Sequence, residues 1–361
     1  MLIWVHELGH FSVAKFFKVR VDEFAIGFPP RLISRVWGET RYSLGLILLG
    51  GYVKIFGENP GDLPAGGQGA QDPRALTSKN RGVQAAVMLA GIVFNLIFAW
   101  LALSVGYMSG LPASADQSTL GSVTAPQVVI SQVRVGSPAE SAGIKPGDII
   151  ERIQTGGEML DTNTLSTIKQ ADAVQGFITA HQDESLVITV MRNGEEKIFL
   201  AKPAADIVPD KKVIGVEMGD VGILKLPPHL ALVQGAIAFK DLTVGTAQGL
   251  GAFFGQLFVG RADFSQVSGP IGIAWVGQDA VKAGFGSAAI IAAIISINLA
   301  LINLLPVPGL DGGRLLIIII EAVIRRPVSP AITNTLMLMG FAAIVLLMLV
   351  VSYNDIARLV G

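Results

Sequence analysis

The 361-residue sequence contains no cysteine, and this absence excludes disulfide bonds and thiolate metal ligands. Any metal ion in this protein must therefore be bound by histidine, aspartate, glutamate or backbone oxygen. Histidine is itself scarce, because the chain has only four. A strong charge of either sign is also missing. The net charge is -1 and no strongly basic segment stands out, so nucleic acid is not expected as a partner.

Charged residues are few as well. They form 15% of the chain, against about 25% in typical soluble domains, whereas 51% of the residues are hydrophobic. This balance predicts an integral membrane protein. Three apolar runs, at 84–108, 287–305 and 334–351, reach the length of about 20 residues that a helix needs to cross a bilayer. A fourth run, at 1–17, is shorter, and since only five residues precede His6 we expect part of this helix to lie outside the given sequence.

The positions of the positive charges predict the orientation in the membrane. Nine Lys or Arg residues lie between the apolar runs at 1–17 and 84–108, and Arg314, Arg325 and Arg326 follow the run at 287–305. Both segments fall on one side of the membrane, and the positive-inside rule makes that side cytoplasmic. Segment 111–286 is then extracytoplasmic. Within it, the interrupted apolar stretch 230–258 is predicted to be an interfacial or packed helix rather than a span.

The stretch RYSLGLILLGGYVKIF, at 41–56, is predicted to form a β-hairpin that turns at Gly50 and Gly51, because this pair separates two extended runs. Two roles are open for the hairpin. It can form a small sheet packed on the protein's own helices, or it can offer an edge strand that pairs with an extended substrate segment. The Gly/Pro-rich stretch 57–74 is predicted to be a flexible loop.

The extracytoplasmic segment contains strand-like passages around SPAESAGIKPGD, with a helix start at Ser137 and a tight turn at 145–148. These features predict a small β-rich domain. The sequence of this segment resembles the PDZ domains associated with bacterial proteases. The predicted domain spans 111–227, and its PDZ-like core spans 128–203. The resemblance implies that extended peptide ends, or the periplasmic part of a substrate, bind there by strand addition. The alternative is a spacer that sterically filters what reaches the membrane.

The first apolar stretch contains HELGH, which places His6 and His10 on one helical face within reach of a single ion. Zinc lowers the pKa of a bound water to about 7, and Glu7 can take the remaining proton and pass it to a leaving amine. So short a motif can arise by chance in a soluble helix. In an apolar helix a charged group costs about 2.5 to 3.5 kcal/mol near the bilayer centre, so it persists where an ion or partner satisfies it. The motif therefore predicts metalloprotease chemistry.

A catalytic zinc needs three protein ligands and one open position. The other two histidines lie in the extracytoplasmic segment, so the third ligand is expected to be a carboxylate. The best candidate is Asp311 in NLLPVPGLDGGR, where the neighbouring glycines are expected to let the backbone approach the first helix. Its alternative role is an N-cap or turn aspartate. Glu321 is the rival carboxylate, expected to pair with Arg325. From His10 to Lys18 the helix rises about 12 Å, which predicts a site inside the membrane near its cytoplasmic face.

Together, HELGH in the first helix, the PDZ-like segment after the second and NLLPVPGLDGGR after the third closely resemble the bacterial site-2 proteases. These are intramembrane zinc metalloproteases, and the similarity is to the regulator-of-sigma-E protease branch with one PDZ domain. It covers nearly the whole chain, including VSGPIGIA at 267–274. The resemblance implies that His6, His10 and Asp311 bind Zn²⁺ and that Glu7 is the catalytic base.

The same resemblance implies that Asn298, Asn303 and Pro308 handle substrate near the active site and that 42–56 is a membrane-reentrant β element. For the asparagines the alternative is helix–helix hydrogen bonding, worth about 0.6 kcal/mol on average. The implied substrates are single-span membrane proteins such as anti-sigma factors, cut in regulated intramembrane proteolysis, and remnant signal peptides. The implied location is the bacterial cytoplasmic (inner) membrane, with lipid around the helices.

The expected fold is a mainly α-helical polytopic membrane protein with about four transmembrane helices, a membrane-reentrant β-hairpin and one inserted PDZ-like β-rich domain. Its expected parts are 1–110, with HELGH and the hairpin, 111–227, and 228–361, with the LDG motif. Two other functions compete with proteolysis. A catalytically inert PDZ-bearing membrane scaffold would have a broken ligand set, and a metal transporter would need several carboxylates or histidines along a path through the membrane.

Overall fold

A computed structural model describes residues 1–58, 72–114, 124–165, 169–192, 194–208, 211–261, 269–282 and 284–360. The chain forms two compact units, one of Met1–Ser104 with Gly235–Gly361 and one of Val105–Gln234. Most of the stretch predicted as a flexible loop at 57–74, and the beginning of VSGPIGIA, lie outside the described residues.

Helices dominate the first unit and strands the second. In chain order the helices are α1 (Leu2–Phe16), α2 (Arg81–Ser109), α3 (Pro138–Ala142), α4 (Gln170–Ala180), α5 (Pro228–Phe258), α6 (Pro270–Lys282), α7 (Phe285–Leu304), α8 (Asp311–Ile324) and α9 (Pro330–Val360). The strands are β1 (Val21–Trp37), β2 (Thr40–Ile55), β3 (Leu111–Ser114), β4 (Thr124–Val133), β5 (Ile149–Gln154), β6 (Met159–Asp161), β7 (Leu186–Arg192), β8 (Glu195–Ala201), β9 (Ala204–Val208), β10 (Lys211–Val213) and β11 (Val216–Leu224).

Three helices in the described part of the chain are long and apolar enough to cross a membrane. They are α2, α7 and the Pro330–Ala357 part of α9, and they coincide with the three long apolar runs of the sequence. Helix α1 has 15 residues. At 1.5 Å per residue it is too short to cross the roughly 30 Å of a hydrocarbon core. Helix α5, which the sequence predicts to be no span, is not among the three.

The pairing of strands β1 and β2 differs from the hairpin predicted at 42–56. The chain reverses at Gly38, whose φ of 64° suits a tight turn, and β1 pairs with β2 across that turn. Beyond it, Ala25 of β1 pairs with Ser43 on one side and with Tyr52 on the other. The two runs of β2 therefore flank the start of β1 and do not pair with each other, so the predicted turn at Gly50 and Gly51 is wrong. Gly51 allows β2 to lie close to β1 at this point, because a Cβ there would lie 2.7 Å from the Ala25 carbonyl oxygen.

The second unit is built on a seven-stranded sheet in its described residues, with the order β3-β11-β4-β5-β7-β8 and β6 paired to β5. Its core is aliphatic, with Val128, Ile150, Ile153 and Ile188 almost fully inaccessible to solvent. Such a core comes from alternating strand residues that all point to one face. A β-rich unit is therefore present where the sequence predicts one, and its assignment as a PDZ domain stays a prediction.

Two local features of this unit follow directly from SPAESAGIKPGD. The Ser137 side chain accepts a hydrogen bond from the Glu140 backbone N–H at 3.2 Å and so caps α3. Gly143 ends the helix in the left-handed region, at φ 90°. The turn after it is closed by Asp148, whose carboxylate accepts a hydrogen bond from the Lys145 N–H at 2.9 Å. The predicted helix start and tight turn are confirmed.

A buried ion pair ties this turn to the sheet. The Arg192 guanidinium donates to both Asp148 carboxylate oxygens, at 2.6 and 2.7 Å, and to the Gly143 carbonyl at 2.8 Å. Asp148 is 1% exposed. Burial raises the pKa of this carboxyl, but the Arg192 hydrogen bonds outweigh it and hold the pKa below its usual value. The pair thus stabilises the unit above the ordinary aspartate pKa, and that stabilisation disappears as the pH falls through the depressed value.

Arg192→Met is expected to destabilise the second unit by about 3 to 5 kcal/mol, because it leaves the Asp148 charge buried without its partner. Hydrogen exchange of the β5 and β7 amides in the full chain measures this loss. The control is Arg152→Met, since Arg152 pairs with Glu196 at the surface and an exposed pair contributes about 0 to 1 kcal/mol. Similar protection in the two variants would contradict the importance of the buried pair.

Candidate metal centre and active site

The site begins where α1 and α2 touch. A Cβ on Gly9 would lie only 3.0 Å from Gly91 Cα, and one on Gly91 would lie 2.7 Å from His6 Cε1 and would overlap His10 Nε2. Real Cβ atoms do not tolerate such contacts. Two glycines at one level therefore allow the helices to approach, and both imidazoles of HELGH lie directly against the α2 backbone. His6 and His10 are each 6% exposed.

Asp311 completes a cluster with these imidazoles. Its Oδ2 atom lies 2.9 Å from His6 Nε2 and 3.2 Å from His10 Nε2, and the two Nε2 atoms are 3.1 Å apart. Ligand atoms about 2.0–2.1 Å from a tetrahedral ion lie about 3.3 Å from one another. The three observed separations are close to that value. Among the described residues, this is the one group of three potential metal ligands of this kind.

The hydrogen bonds around the cluster test whether it fits a cation. His10 Nδ1 donates to the Val87 carbonyl of α2 at 2.7 Å, which fixes the proton on Nδ1 and leaves the Nε2 lone pair facing the cluster. Asp311 Oδ2 is buried without a hydrogen-bond partner among the described atoms, although both Nε2 atoms lie within 3.2 Å of it. A buried carboxylate oxygen without a partner is costly. Two imidazoles and one carboxylate are a donor set that suits zinc.

Asp311 reaches this position because of the break between α7 and α8. Helix α7 ends at Leu304, and α8 begins with Asp311 itself. The glycines of LDGG act differently from the prediction. A Cβ on Gly313 would lie 2.8 Å from Pro308 Cα, and one on Gly312 would overlap the Leu304 carbonyl. These glycines therefore allow α8 to fold back on its own connection to α7, and the predicted role in approaching the first helix is wrong.

Glu7 lies beside the cluster, and the β2 strand holds it. The Val53 backbone N–H donates a hydrogen bond to the Glu7 carboxylate. Residues 51–55 of β2 pair only with β1 in the described structure, so this run is a sheet edge next to the site. The cavity between these elements is lined by His6, Glu7, His10, Tyr52, Val53, Ile55, Glu58 and Asp311. Arg314 of α8 pairs with Glu58 at its rim.

The remaining candidates lie elsewhere. Asn298 and Asn303 are half-buried on α7, and Pro308 lies in the following turn. None of the three is among the described residues that line the cavity, so their role in substrate handling stays a prediction. His181 bonds to the Phe177 carbonyl of its own helix at 3.0 Å.

The rival carboxylate Glu321 has other partners. Its Oε2 atom accepts from Arg81 at 2.7 Å, and its Oε1 atom accepts from the Val328 N–H at 2.8 Å. The expected pairing with Arg325 is therefore wrong. Arg325 adopts a left-handed conformation at φ 58°, where it ends α8 and the helical spacing to Glu321 is lost.

Sequence reasoning missed the contributions of α2. Gly91 provides the space for the imidazoles, Val87 provides the carbonyl that orients His10, and the Asn95 side chain lies 3.3 Å from His6 Nδ1. One signal was available, because Asn95 is a polar residue within a long apolar run. A backbone carbonyl and a glycine contact carry no comparable signal, since they depend on the packing of α1 against α2.

Comparisons with known proteins match the chain over nearly its whole length. The sequence profile described as Peptidase family M50 matches residues 1–347. A protein of Nostoc sp. (strain PCC 7120), provisionally named a zinc metalloprotease, is 33% identical over 94% of this chain and 88% of its own length. One of Agrobacterium fabrum with the same provisional name is 30% identical over 100% of this chain and 94% of its own. The zinc metalloprotease RasP of Geobacillus kaustophilus is 29% identical over 99% of this chain and 95% of its own.

Gly91→Ala is expected to displace both imidazoles, because the added methyl group overlaps them and such overpacking costs about 1 to 3 kcal/mol. Bound metal per purified chain should fall, together with the thermal unfolding midpoint. Gly82→Ala in the same helix is the matched control, since its Cβ would meet only Asn80 Oδ1, at 3.5 Å. If Gly91→Ala keeps as much metal as Gly82→Ala, the close contact of α1 and α2 does not position the ligands.

Proposed function

The chain belongs to peptidase family M50, and from this membership and the geometry of the site we propose that it is a membrane-embedded zinc metalloendopeptidase. It hydrolyses a peptide bond within or near the transmembrane segment of another membrane protein. The observation that carries this proposal is the convergence of His6, His10 and Asp311 within 3.2 Å, beside Glu7. The ligand set is intact, which disfavours an inert scaffold. A single described cluster of this kind, without a series along the helices, disfavours a metal transporter.

Each residue of the site has a distinct task. His6, His10 and Asp311 would hold the zinc ion, which supplies Lewis acidity toward the scissile carbonyl and the attacking water. Glu7 accepts the proton of that water on a carboxylate oxygen and then delivers it to the nitrogen of the leaving amine. The Val53 N–H fixes Glu7 for both transfers. The Val87 carbonyl keeps His10 in the tautomer that leaves Nε2 free.

The substrate backbone must be extended before it can react. A transmembrane helix uses its own peptide groups for internal hydrogen bonds, so a cut inside it requires local unwinding. The edge run 51–55 of β2 supports a way to bind the released groups, because it lies beside Glu7 and its outer side has no described strand partner. An extended segment added there would pass the catalytic base. Asn298, Asn303 and Pro308 are proposed to bind substrate farther along α7 and its turn.

The proposed substrates are single-span membrane proteins such as anti-sigma factors, and remnant signal peptides. We place the chain in the bacterial cytoplasmic membrane, with the second unit outside the cytoplasm. From His10 to its end at Phe16 the first helix rises about 9 Å, which supports a site near the cytoplasmic face. Substrates of this kind contact both compartments, so a membrane site and an extracytoplasmic unit are both useful for recognition.

The second unit offers a groove for such recognition. Helix α4 and strand β11 form a cavity whose lining includes Ile178, Val216 and Met218. Between Val216 and Asp220, β11 pairs with β4, whereas its described pairing with β3 begins only at Val221. The cavity lining is mixed, because polar residues such as Gln175, Thr179 and Lys212 lie beside these apolar side chains. The free edge and the apolar part of the lining support binding of an extended peptide end, as the PDZ resemblance implies. A spacer that only excludes bulky substrates would need no such groove.

Glu7→Gln is expected to lower cleavage of a reporter transmembrane segment by about 10²- to 10⁴-fold, because the proton acceptor is removed. Purified protein in lipid vesicles is assayed, and zinc content is measured on the same sample, where it should be unchanged. Glu39→Gln is the control, since Glu39 is a half-exposed carboxylate paired with Lys15. Equal cleavage by Glu7→Gln and the parent would remove the proteolytic proposal.

Met218→Lys is expected to weaken binding of a fluorescent peptide that carries the free end of a trimmed substrate, because a charged side chain replaces one of the apolar side chains that line the groove. Anisotropy titration of the full chain measures the effect, and about tenfold is expected from a loss of roughly 1.4 kcal/mol. Lys197→Met, on the outer strand β8, is the control. If the parent binds no such peptide, the spacer interpretation replaces this one.

A further inference from the structure

One polar side chain near the cluster has an unusual environment. Asn95 of α2 is fully buried, and its Oδ1 atom has no hydrogen-bond partner in the described structure. Its Nδ2 atom lies 3.3 Å from His6 Nδ1. The other buried side-chain polar atom without a partner in the described residues is Asp311 Oδ2, on the opposite side of the same imidazole pair. The two unsatisfied oxygens therefore belong to one network.

Two hydrogen-bond arrangements are compatible with these positions. In the first, Asn95 Nδ2 donates to His6 Nδ1, and the proton of His6 is on Nε2, directed at His10 Nε2 3.1 Å away. That arrangement leaves Asn95 Oδ1 unpaired. In the second, the carboxamide is rotated by 180°, so that Oδ1 accepts the proton of His6 Nδ1. The His6 Nε2 lone pair then faces Asp311 and His10.

Metal binding requires the second arrangement. A histidine binds a cation through an unprotonated ring nitrogen, and the tautomer is set by the partner of the other nitrogen. His10 already has such a partner in the Val87 carbonyl. For His6 the corresponding acceptor is Asn95 Oδ1, which has no hydrogen-bond partner in the described structure and which the rotated carboxamide brings to His6 Nδ1. We propose that Asn95 is a positioning residue, whose side-chain oxygen accepts the Nδ1 proton of His6 and so directs the Nε2 lone pair into the metal site.

The backbone around Asn95 is fixed for this role. The Ser296 hydroxyl of α7 donates to the Asn95 carbonyl oxygen at 2.8 Å, and both residues are fully buried. Gly91, one turn earlier on α2, is in contact with the same imidazole. The His6 ring thus lies between Gly91 and the Asn95 carboxamide, and the hydrogen bond to the carboxamide sets the tautomer of His6. This inference rests on the proposed zinc site and adds to it a determinant of metal affinity.

The test measures the zinc dissociation constant of the purified full chain by competition with a chromogenic chelator. Asn95→Leu keeps the size of the side chain but has no acceptor, and it should bind zinc about 10- to 100-fold more weakly, as for other partners of metal-bound histidines. Asn95→Asp keeps an oxygen that can accept the proton, so its affinity should stay within about tenfold of the parent or exceed it. Ser104→Ala is the control, because Ser104 is buried on the same helix and, in the described structure, its hydroxyl donates to the Trp100 carbonyl of that helix.

The outcomes separate this inference from the function it rests on. If the parent binds no zinc, the proposed metalloprotease fails as a whole. Should the parent and Asn95→Leu bind zinc equally, the site stands and the role of Asn95 is wrong. Equal weakening in Asn95→Leu and Asn95→Asp also overturns the role, since an acceptor oxygen would then make no difference. Thermal unfolding of the metal-free variants reports folding separately from affinity.

Discussion

The site in the first unit depends on the contact between α1 and α2, in which Gly9 and Gly91 leave enough space for two imidazoles to lie against the α2 backbone. This contact places His6 and His10 where one ion can reach both, and it supplies the Val87 carbonyl that fixes the tautomer of His10. Asp311 then has to arrive from the far end of the sequence. The break after α7 and the folded-back start of α8 bring it within 3.2 Å of both rings. Neither helix pair alone would form the cluster.

Polar groups in an apolar helix bundle need hydrogen-bond partners, and most polar side chains of the site have one on a neighbouring element. His10 bonds to a carbonyl of α2, Glu7 accepts from the Val53 N–H of β2, and His6 lies against Asn95. Asp311 Oδ2, which has no hydrogen-bond partner in the described structure, faces the two Nε2 atoms. A cation there satisfies all three at once. The ion proposed for catalysis would thus also offset the cost of burying these groups without partners.

The sequence predicted those features of the structure that depend on residues close to one another in the chain. HELGH places two candidate ligands and a candidate base on one helix by spacing alone, the three long apolar helices follow from the length of the apolar runs, and Ser137 marks the start of α3. Asp311 was found by elimination among the available ligand types. The predictions that failed depended on tertiary contacts. The two runs of β2 pair with opposite sides of β1, and this register depends on contacts across the sheet. Glu321 pairs with Arg81 of α2, because α8 ends at Arg325 and the helical spacing between Glu321 and Arg325 is lost. Asn95 was visible as a polar residue in an apolar run, but its partner was not.

The central claim is that one zinc ion is bound by two imidazoles of α1 and the carboxylate that begins α8. Zinc-edge X-ray absorption on the purified full chain, compared with Asp311→Ala, tests it most directly. We expect one zinc per chain, scattering from two imidazoles, and nitrogen and oxygen ligands at about 2.0–2.1 Å. In the variant, zinc should be lost or its oxygen coordination changed. A spectrum without imidazole scattering, or one that Asp311→Ala leaves unchanged in both shape and zinc content, would contradict it.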